Sequence, residues 1–255
     1  MRTFGLIGFP LTHSFSPDYF AEKFVREGIS DAQYKLFPLE SIDELSALLH
    51  SEPSLAGFNV TIPHKQSILP LLDSIDEVAQ RAGAVNTVKI IAGSTGKHGS
   101  FQLHGTNTDV YGFRQSLKPF LTSAHERALI FGTGGAAAAV DYVLREIGVD
   151  TIFVSSSGKT LPDRVVLAAE DVNEYVLNAC KLLVNTTPLG QFPETDAAPA
   201  LPYEKLTKAH LLYDLIYNPP ETTFMREGRK AGATAMNGLD MLKLQAEKAW
   251  EFWDS

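Results

Sequence analysis

Several clusters of polar residues in this chain have types and spacings that could do chemistry. Ser14 and Ser16, in Thr-His-Ser-Phe-Ser-Pro, stand two positions apart just after an apolar run, so two hydroxyls could donate to one carboxylate. The plainer reading of Ser16-Pro17 is a helix start. Asn59-Val60-Thr61-Ile62-Pro63-His64-Lys65 puts an amide, a hydroxyl and an ammonium at the end of another apolar run. A lysine there can act as general acid or base, or polarise a carbonyl, although most isolated lysines are merely solvated. His64 reads as a packing or capping residue and is given no chemical role. Asn86, in Gly83-Ala84-Val85-Asn86-Thr87, is most simply a strand-entry turn residue. In Thr106-Asn107-Thr108-Asp109, either Thr108 or Asp109 could be an N-cap, and Asp109 gains chemical interest only if it faces Lys65.

A different chemistry is written in Gly132-Thr133-Gly134-Gly135-Ala136-Ala137, a G-x-G-x-x-A turn between the apolar run 127–131 and an alanine-rich helical stretch. Gly132 allows the tight turn, Gly134 lets a pyrophosphate approach the backbone, and Ala137 permits close helix-to-strand packing, with phosphates held at the helix N-terminus. The alternative is a tight turn that uses glycine for its own sake. For NAD, a ribose-binding carboxylate is expected about 20 residues on. Here Ser155-Ser156-Ser157-Gly158-Lys159 follows the next strand, with no carboxylate before Asp163. Hydroxyls and Lys159 could hold a 2′-phosphate, which favours NADP; the bland reading is a polar turn with a solvated lysine. Asn185-Thr186-Thr187-Pro188-Leu189-Gly190 follows another apolar strand, a place from which a loop can cover a cofactor.

These residues need a scaffold, and the hydrophobic pattern supplies one. Strand-like runs at 3–8, 34–38 and 56–62 alternate with helix-like stretches at 18–28, 42–49 and 65–72. A strand at 84–91, a hairpin loop at 92–100 and a strand at 101–105 precede a helix over 108–121. A second set follows: strands 127–131, 150–155, 181–185 and 211–214, with helices 136–148, 221–231 and 239–253. Such alternation predicts an α/β fold with largely parallel sheets, in two lobes. Parallel sheets bind ligands at the carboxyl ends of their strands, which is where the clusters fall.

Composition narrows the class of protein. The 255 residues are 44% hydrophobic and 20% charged, as in ordinary globular chains. Twenty-two Lys+Arg against thirty Asp+Glu leave a formal charge of −8, which argues against a nucleic-acid footprint. The single cysteine, Cys180, excludes an internal disulfide framework and a cysteine-based zinc site. The apolar stretch 128–140 falls far short of the ~20 residues of a membrane helix. The N-terminus reads as a mature cytoplasmic start, without a leader.

Taken in order, GFPLTHSFSP, NVTIPHK, GAVNT, GTNTDVYGF, the glycine turn, NTTPLG, YDLIYNPPET and NGLDMLKLQAEKAWEFW resemble the shikimate 5-dehydrogenase family through nearly the whole chain. The resemblance implies NADPH-dependent reduction of 3-dehydroshikimate to shikimate in aromatic amino-acid biosynthesis, with no metal. By matching motifs, Lys65 and Asp109 would be the catalytic pair. Ser14, Ser16, Asn59, Thr61, Asn86, Tyr217 and Gln245 would bind substrate. Gly132, Gly134, Gly135, Ala136, Ser155, Ser156, Lys159, Thr186, Pro188, Leu215, Gly238 and Met241 would bind or flank the cofactor. The implied domains are substrate binding over 1–105, Rossmann over 106–235, and a C-terminal helix over 236–255 that returns to the first lobe. A monomer or homodimer acting on a small molecule, with no nucleic acid or membrane partner, is expected.

One departure stands out. NADP-preferring members of the family commonly show Asn-Arg-Thr where this chain has Ser155-Ser156-Ser157, so NAD is the alternative cofactor and an NAD-linked quinate/shikimate dehydrogenase the alternative enzyme. A non-catalytic metabolite sensor is a rival from another class, against which the intact Lys65 and Asp109 weigh. A methylenetetrahydrofolate dehydrogenase shares the two-lobe plan, but the paired serines and Asn86 suit a polyhydroxy acid better than a pterin.

Overall fold

The apolar runs form strands, and their pairing makes two separate six-stranded sheets. The computed structural model describes every residue except Thr12 and His13, two residues of the GFPLTHSFSP motif that carry no assigned role. By contacts the chain divides into Met1–Thr108 with Ala246–Ser255, and Asp109–Gln245.

The first unit runs β1 (Arg2–Gly8), α1 (Ser16–Glu27), β2 (Ala32–Pro38), α2 (Leu45–Ser51), β3 (Leu55–Val60), β4 (Ser74–Ile75), α3 (Glu77–Ala82), β5 (Thr87–Gly96) and β6 (Gly99–Thr106). Its sheet order is β2-β1-β3-β5-β6-β4, and β5 alone runs against the others. β1 is buried along nearly its whole length, as a central strand covered on both faces must be. One core of Ile7, Phe58, Val60, Ile68, Val88 and Leu103 fills beneath it. A second is aromatic. Phe20 and Phe24, one helical turn apart on α1, pack with Phe4, Trp250 and Trp253. The Trp253 ring stacks on Phe4 at 4.8 Å, and its Nε1–H donates to the Val88 carbonyl at 2.9 Å. Gly57 makes the room, because a Cβ there would lie 2.5 Å from that indole. These contacts tie the chain's last ten residues to the first unit.

Two stretches differ from the sequence pattern. Residues 65–72 are turns ending in a 3-10 turn, Leu69–Leu71, not a helix. Pro70 has no N–H to give and disfavours helical geometry in the residue before it. The supposed loop 92–100 is mostly strand: β5 and β6 pair out to Gly96↔Gly99, with a bulge after Ala92. Built from alanine, glycine and polar residues (AGSTGKHGS), this hairpin carries no hydrophobic period to reveal it.

The second unit contains α4 (Thr108–Leu117, whose first residue closes the first unit), β7 (Arg127–Phe131), α5 (Gly135–Glu146), β8 (Asp150–Ser155), β9 (Val166–Ala168), α6 (Glu174–Ala179), β10 (Leu182–Asn185), β11 (Leu211–Asp214), α7 (Thr223–Lys230), β12 (Thr234–Met236) and the first turns of α8 (Leu239–Asp254), whose residues from Ala246 on belong to the first unit. All strands are parallel, in the order β12-β11-β10-β7-β8-β9. This is the doubly wound Rossmann order, with its switch point between β7 and β10. The predicted helix 108–121 ends early because Pro119 turns its last residues into a 3-10 turn, Lys118–Phe120. Among the described residues, no helix is long and apolar enough to cross a membrane.

Candidate active site

At the carboxyl edge of the first sheet, buried polar side chains form a hydrogen-bonded ladder. Tyr34 donates its hydroxyl to Asn59 Oδ1 at 2.8 Å and interacts with the Ser16 side chain. Asn59 Nδ2 donates to Thr87 Oγ1 at 3.0 Å and to the Asn86 carbonyl at 3.3 Å. Thr87 lies directly opposite Asn59 in the β3–β5 pairing, and its hydroxyl donates to Asn86 Oδ1 at 3.1 Å. Asn86 then reaches α4: its Oδ1 accepts the Thr108 N–H at 2.7 Å, and its Nδ2 donates to Thr108 Oγ1 at 3.1 Å. Burial pushes the Tyr34 phenol far above its ordinary value, so Tyr34 remains a donor.

This ladder answers the plainer readings. Asn86 is more than a turn residue, since it supplies the cap of α4 from outside the helix. Thr108 and Asp109 sit within the first turn of α4. Ser16 opens α1 without capping it, and its N–H lies 3.4 Å from Ser14 Oγ. Thr61 follows β3, its N–H donating to the Ile7 carbonyl at 2.9 Å. The Lys65 carbonyl accepts the Val85 N–H at 2.8 Å, which fixes the Lys65 backbone beside Asn86. His64 ties loop to loop: its Nε2 donates to the Leu39 carbonyl at 2.7 Å, a packing role.

Asp109 is buried at the start of the second unit. One turn further along α4, Gly112 lets α8 come close: a Cβ there would lie 2.5 Å from the Met241 carbonyl and 3.1 Å from Gln245 Cβ. The buried Gln245 and Met241 are therefore carried on a helix pressed against the face of α4 that bears Asp109.

The glycine turn stands at the switch point. Gly132 has φ +109°, favourable only for glycine, and a Cβ on it would meet Thr186 Oγ1 at 2.6 Å. Thr186 donates both its N–H (2.9 Å) and its hydroxyl (2.6 Å) to the Phe131 carbonyl, closing the loop after β10 onto the turn after β7. Where a Cβ on Gly134 would project there is open space, and Gly134 starts α5 without any side-chain cap. Gly135 and Ala136 form the first helical turn, and Ala137 is buried. Uncapped N–H groups beside an open cradle fit a pyrophosphate. At the end of β8, Ser155 Oγ lies 3.2 Å from Ser157 Oγ and accepts the Lys159 N–H at 3.2 Å; Ser156 is exposed next to them. The Lys159 ammonium donates to the Thr133 carbonyl at 3.3 Å, which brings its charge over the glycine turn.

Leu215 and Gly238 are in backbone contact: Gly238 N–H donates to the Ile216 carbonyl at 3.0 Å, and a Cβ on Gly238 would collide with the Leu215 carbonyl. Tyr217 is half-buried on the same segment, and Pro188 is exposed on the loop after β10. Sequence reasoning missed Tyr34, Thr87 and Thr108 as members of the ladder. Thr87 adjoins Asn86 in the chain, but only the strand register shows it facing Asn59.

Comparison with known proteins identifies the family. The family model for the shikimate dehydrogenase substrate binding domain matches residues 6–88. A shikimate dehydrogenase (NADP(+)) of Halothermothrix orenii is 36% identical over 98% of this chain and 89% of its own length. The chain belongs to the shikimate dehydrogenase family. Among solved shikimate dehydrogenases, that of Aquifex aeolicus superposes with a TM-score of 0.83 at 30% identity, covering 100% of this chain and 92% of its own. That of Thermus thermophilus, solved in complex with NADP(H) and shikimate, gives 0.81 at 31% identity, covering 99% of this chain and 93% of its own.

Proposed function

We propose that this protein is an NADP-dependent shikimate dehydrogenase of aromatic amino-acid biosynthesis, interconverting 3-dehydroshikimate and shikimate. The observation that carries the reading is the buried ladder Tyr34–Asn59–Thr87–Asn86–Thr108, which spends amides and hydroxyls, not apolar surface, at a sheet edge where open α/β folds bind ligands. Membership of the family and an NADP-bound relative support the same chemistry. Residues 1–105 hold the substrate and 106–235 the cofactor, and the C-terminal helix returns to the first lobe. The enzyme works in the cytoplasm as a monomer or homodimer.

NADPH, when bound, supplies a hydride to the ketone carbon. Lys65, as ammonium, gives its proton to the ketone oxygen, and Asp109 orients that oxygen; in the reverse direction neutral Lys65 takes the hydroxyl proton. Ser14 and Ser16 donate to the substrate carboxylate, while Asn59, Thr61, Asn86, Tyr217 and Gln245 hold the ring substituents and carboxylate. Gly132, Gly134, Gly135 and Ala136 cradle the pyrophosphate. Ser155, Ser156 and Lys159 take the 2′-phosphate in place of the family's arginine, and Thr186, Pro188, Leu215, Gly238 and Met241 flank the nicotinamide.

The experiment is to follow nicotinamide reduction with shikimate or quinate and NADP⁺ or NAD⁺ in all four combinations. Rapid reduction with shikimate and NADP⁺ alone is expected. Preference for NAD⁺ would keep the chemistry and overturn the roles of Ser155 to Lys159. Silence in all four would make the protein a metabolite sensor.

A further inference from the structure

Of the buried carboxylates described in the second unit that the proposed chemistry does not use, Asp214 is the more deeply buried, and Asp141 is the other. Asp214 is the last residue of β11 and has no exposed surface. A carboxylate taken wholly out of water is costly unless donors surround it. Here there are three, each from a different piece of chain. Asn185 Nδ2, at the end of β10, donates to Oδ1 at 3.0 Å; the Ile216 N–H donates to the same oxygen at 3.0 Å; the Thr222 hydroxyl, the N-cap of α7, donates to Oδ2 at 2.6 Å. Burial drives its pKa up to about 6, against the pull of these three donors.

Two of these arms lead toward the dinucleotide edge. Asn185, oriented by Asp214, accepts the Thr187 N–H at 3.0 Å and its hydroxyl at 2.6 Å with Oδ1, and donates to the Leu189 carbonyl at 3.3 Å. It thereby sets the shape of the loop 185–190, whose Thr186 closes on the Phe131 carbonyl next to Gly132. The Ile216 arm fixes the segment after β11. The Leu215 N–H donates to the Asn185 carbonyl at 3.0 Å, and the Ile216 carbonyl receives Gly238. The third arm, to Thr222, leads away into α7 and serves packing.

We propose that Asp214 is a positioning residue of the nicotinamide end of the site: without touching the cofactor, it holds the loops 185–190 and 215–217 in the shape that binds it. This rests on the dinucleotide-binding reading above. An asparagine in its place keeps an oxygen for Asn185 and Ile216 and can donate to Thr222 once that hydroxyl turns. An alanine takes away the acceptor of the Ile216 N–H and the Thr222 hydroxyl and leaves Asn185 Nδ2 with only the Leu189 carbonyl.

The test compares wild type, Asp214→Ala, Asp214→Asn, Asn185→Ala and Thr222→Val in the full chain. It measures the NADP⁺ dissociation constant by calorimetry, KM for shikimate, and Tm. Asp214→Ala and Asn185→Ala should weaken NADP⁺ binding about tenfold or more with KM for shikimate changed less than about twofold. Asp214→Asn should recover most of that loss, and Thr222→Val should lower Tm and leave NADP⁺ binding intact. If Asp214→Ala does not fold, Asn185→Ala decides by the same measure. Unchanged NADP⁺ affinity in Asp214→Ala or Asn185→Ala, or equal weakening of NADP⁺ and shikimate, would overturn the role of Asp214 and leave the proposed reaction standing. A wild type that binds no NADP⁺ would overturn both.

Discussion

The two sheet edges are built by opposite means. The first unit presents side chains already locked to one another: Tyr34, Asn59, Thr87, Asn86 and Thr108 are mutual partners, and four of the five are almost wholly buried. The second presents backbone at the glycine turn and the start of α5, with exposed Ser156 and Lys159 beside it. A side-chain ladder fails when one rung goes, since each loss strands a buried donor or acceptor. A backbone cradle tolerates change around it, because N–H groups at a helix start do not depend on residue identity.

The largest effect expected falls on the reacting group itself. Lys65→Ala should lower turnover by a factor of about 10² or more with much less change in ligand affinity, read from kcat beside shikimate binding; near-normal turnover would remove Lys65 from the proton transfer. Breaking the ladder comes next. Asn86→Ala removes the acceptor of the Thr108 N–H and one partner of the Thr87 hydroxyl, and should cost roughly 1–3 kcal/mol in urea unfolding together with a raised KM for shikimate. A fully stable variant would show the ladder to be slack. On the tolerant edge, Lys159→Ala should raise KM for NADP⁺ roughly tenfold and leave stability and KM for NAD⁺ nearly unchanged. Equal loss for both cofactors would mean that Lys159 does not read the 2′-phosphate.

The smallest effect lies at the opposite edge of the second sheet. His125 and His210 occupy matching Thr-x-Ala-His turns ahead of β7 and β11, each Nδ1 accepting an N–H, from Thr122 at 3.0 Å and Thr207 at 2.9 Å. Burial holds both imidazoles below the ordinary histidine pKa. The unfolded chain therefore takes up these protons first, and stability present above pH 6.5 is lost as pH falls below it. Asp214, raised to about 6, acts with the opposite sign: folding favours its protonated form, so its contribution is greatest below about pH 4 and is lost as pH rises through about 6. Tm against pH should fall more steeply below pH 6.5 in Asp214→Asn than in the wild type, and an identical slope would show that Asp214 does not titrate there.

Much of the frame was legible in the chain. β7 and β11 fall where the apolar runs placed them, because a parallel strand covered on both faces is nearly continuously apolar, and β8 falls there on its apolar centre Ile152–Val154. The glycine turn was legible because a positive φ at Gly132 leaves glycine little competition. The ladder was legible only in part: Asn59 and Asn86 announced themselves as amides at strand ends, but Tyr34 reads as one more strand aromatic. Residues 65–72 kept a helical period that Pro70 forbids, and the hairpin past residue 92 lacked any period. Asp214, inside the quoted motif YDLIYNPPET, gave no sign of its burial or its three donors.

What the sequence determined by itself is local: strand and helix alternation, the turn that needs glycine, and the ordered motifs that place the chain among shikimate dehydrogenases. Each follows from a period or a dihedral that neighbouring residues settle between themselves. Only the tertiary structure decided that Asn59 faces Thr87, that Thr186 closes on Phe131 and that Asp214 sits within reach of Asn185 and Thr222. Those pairings join residues from 8 to 55 positions apart. Strand register and loop closure fix them, and both depend on the packed core as a whole.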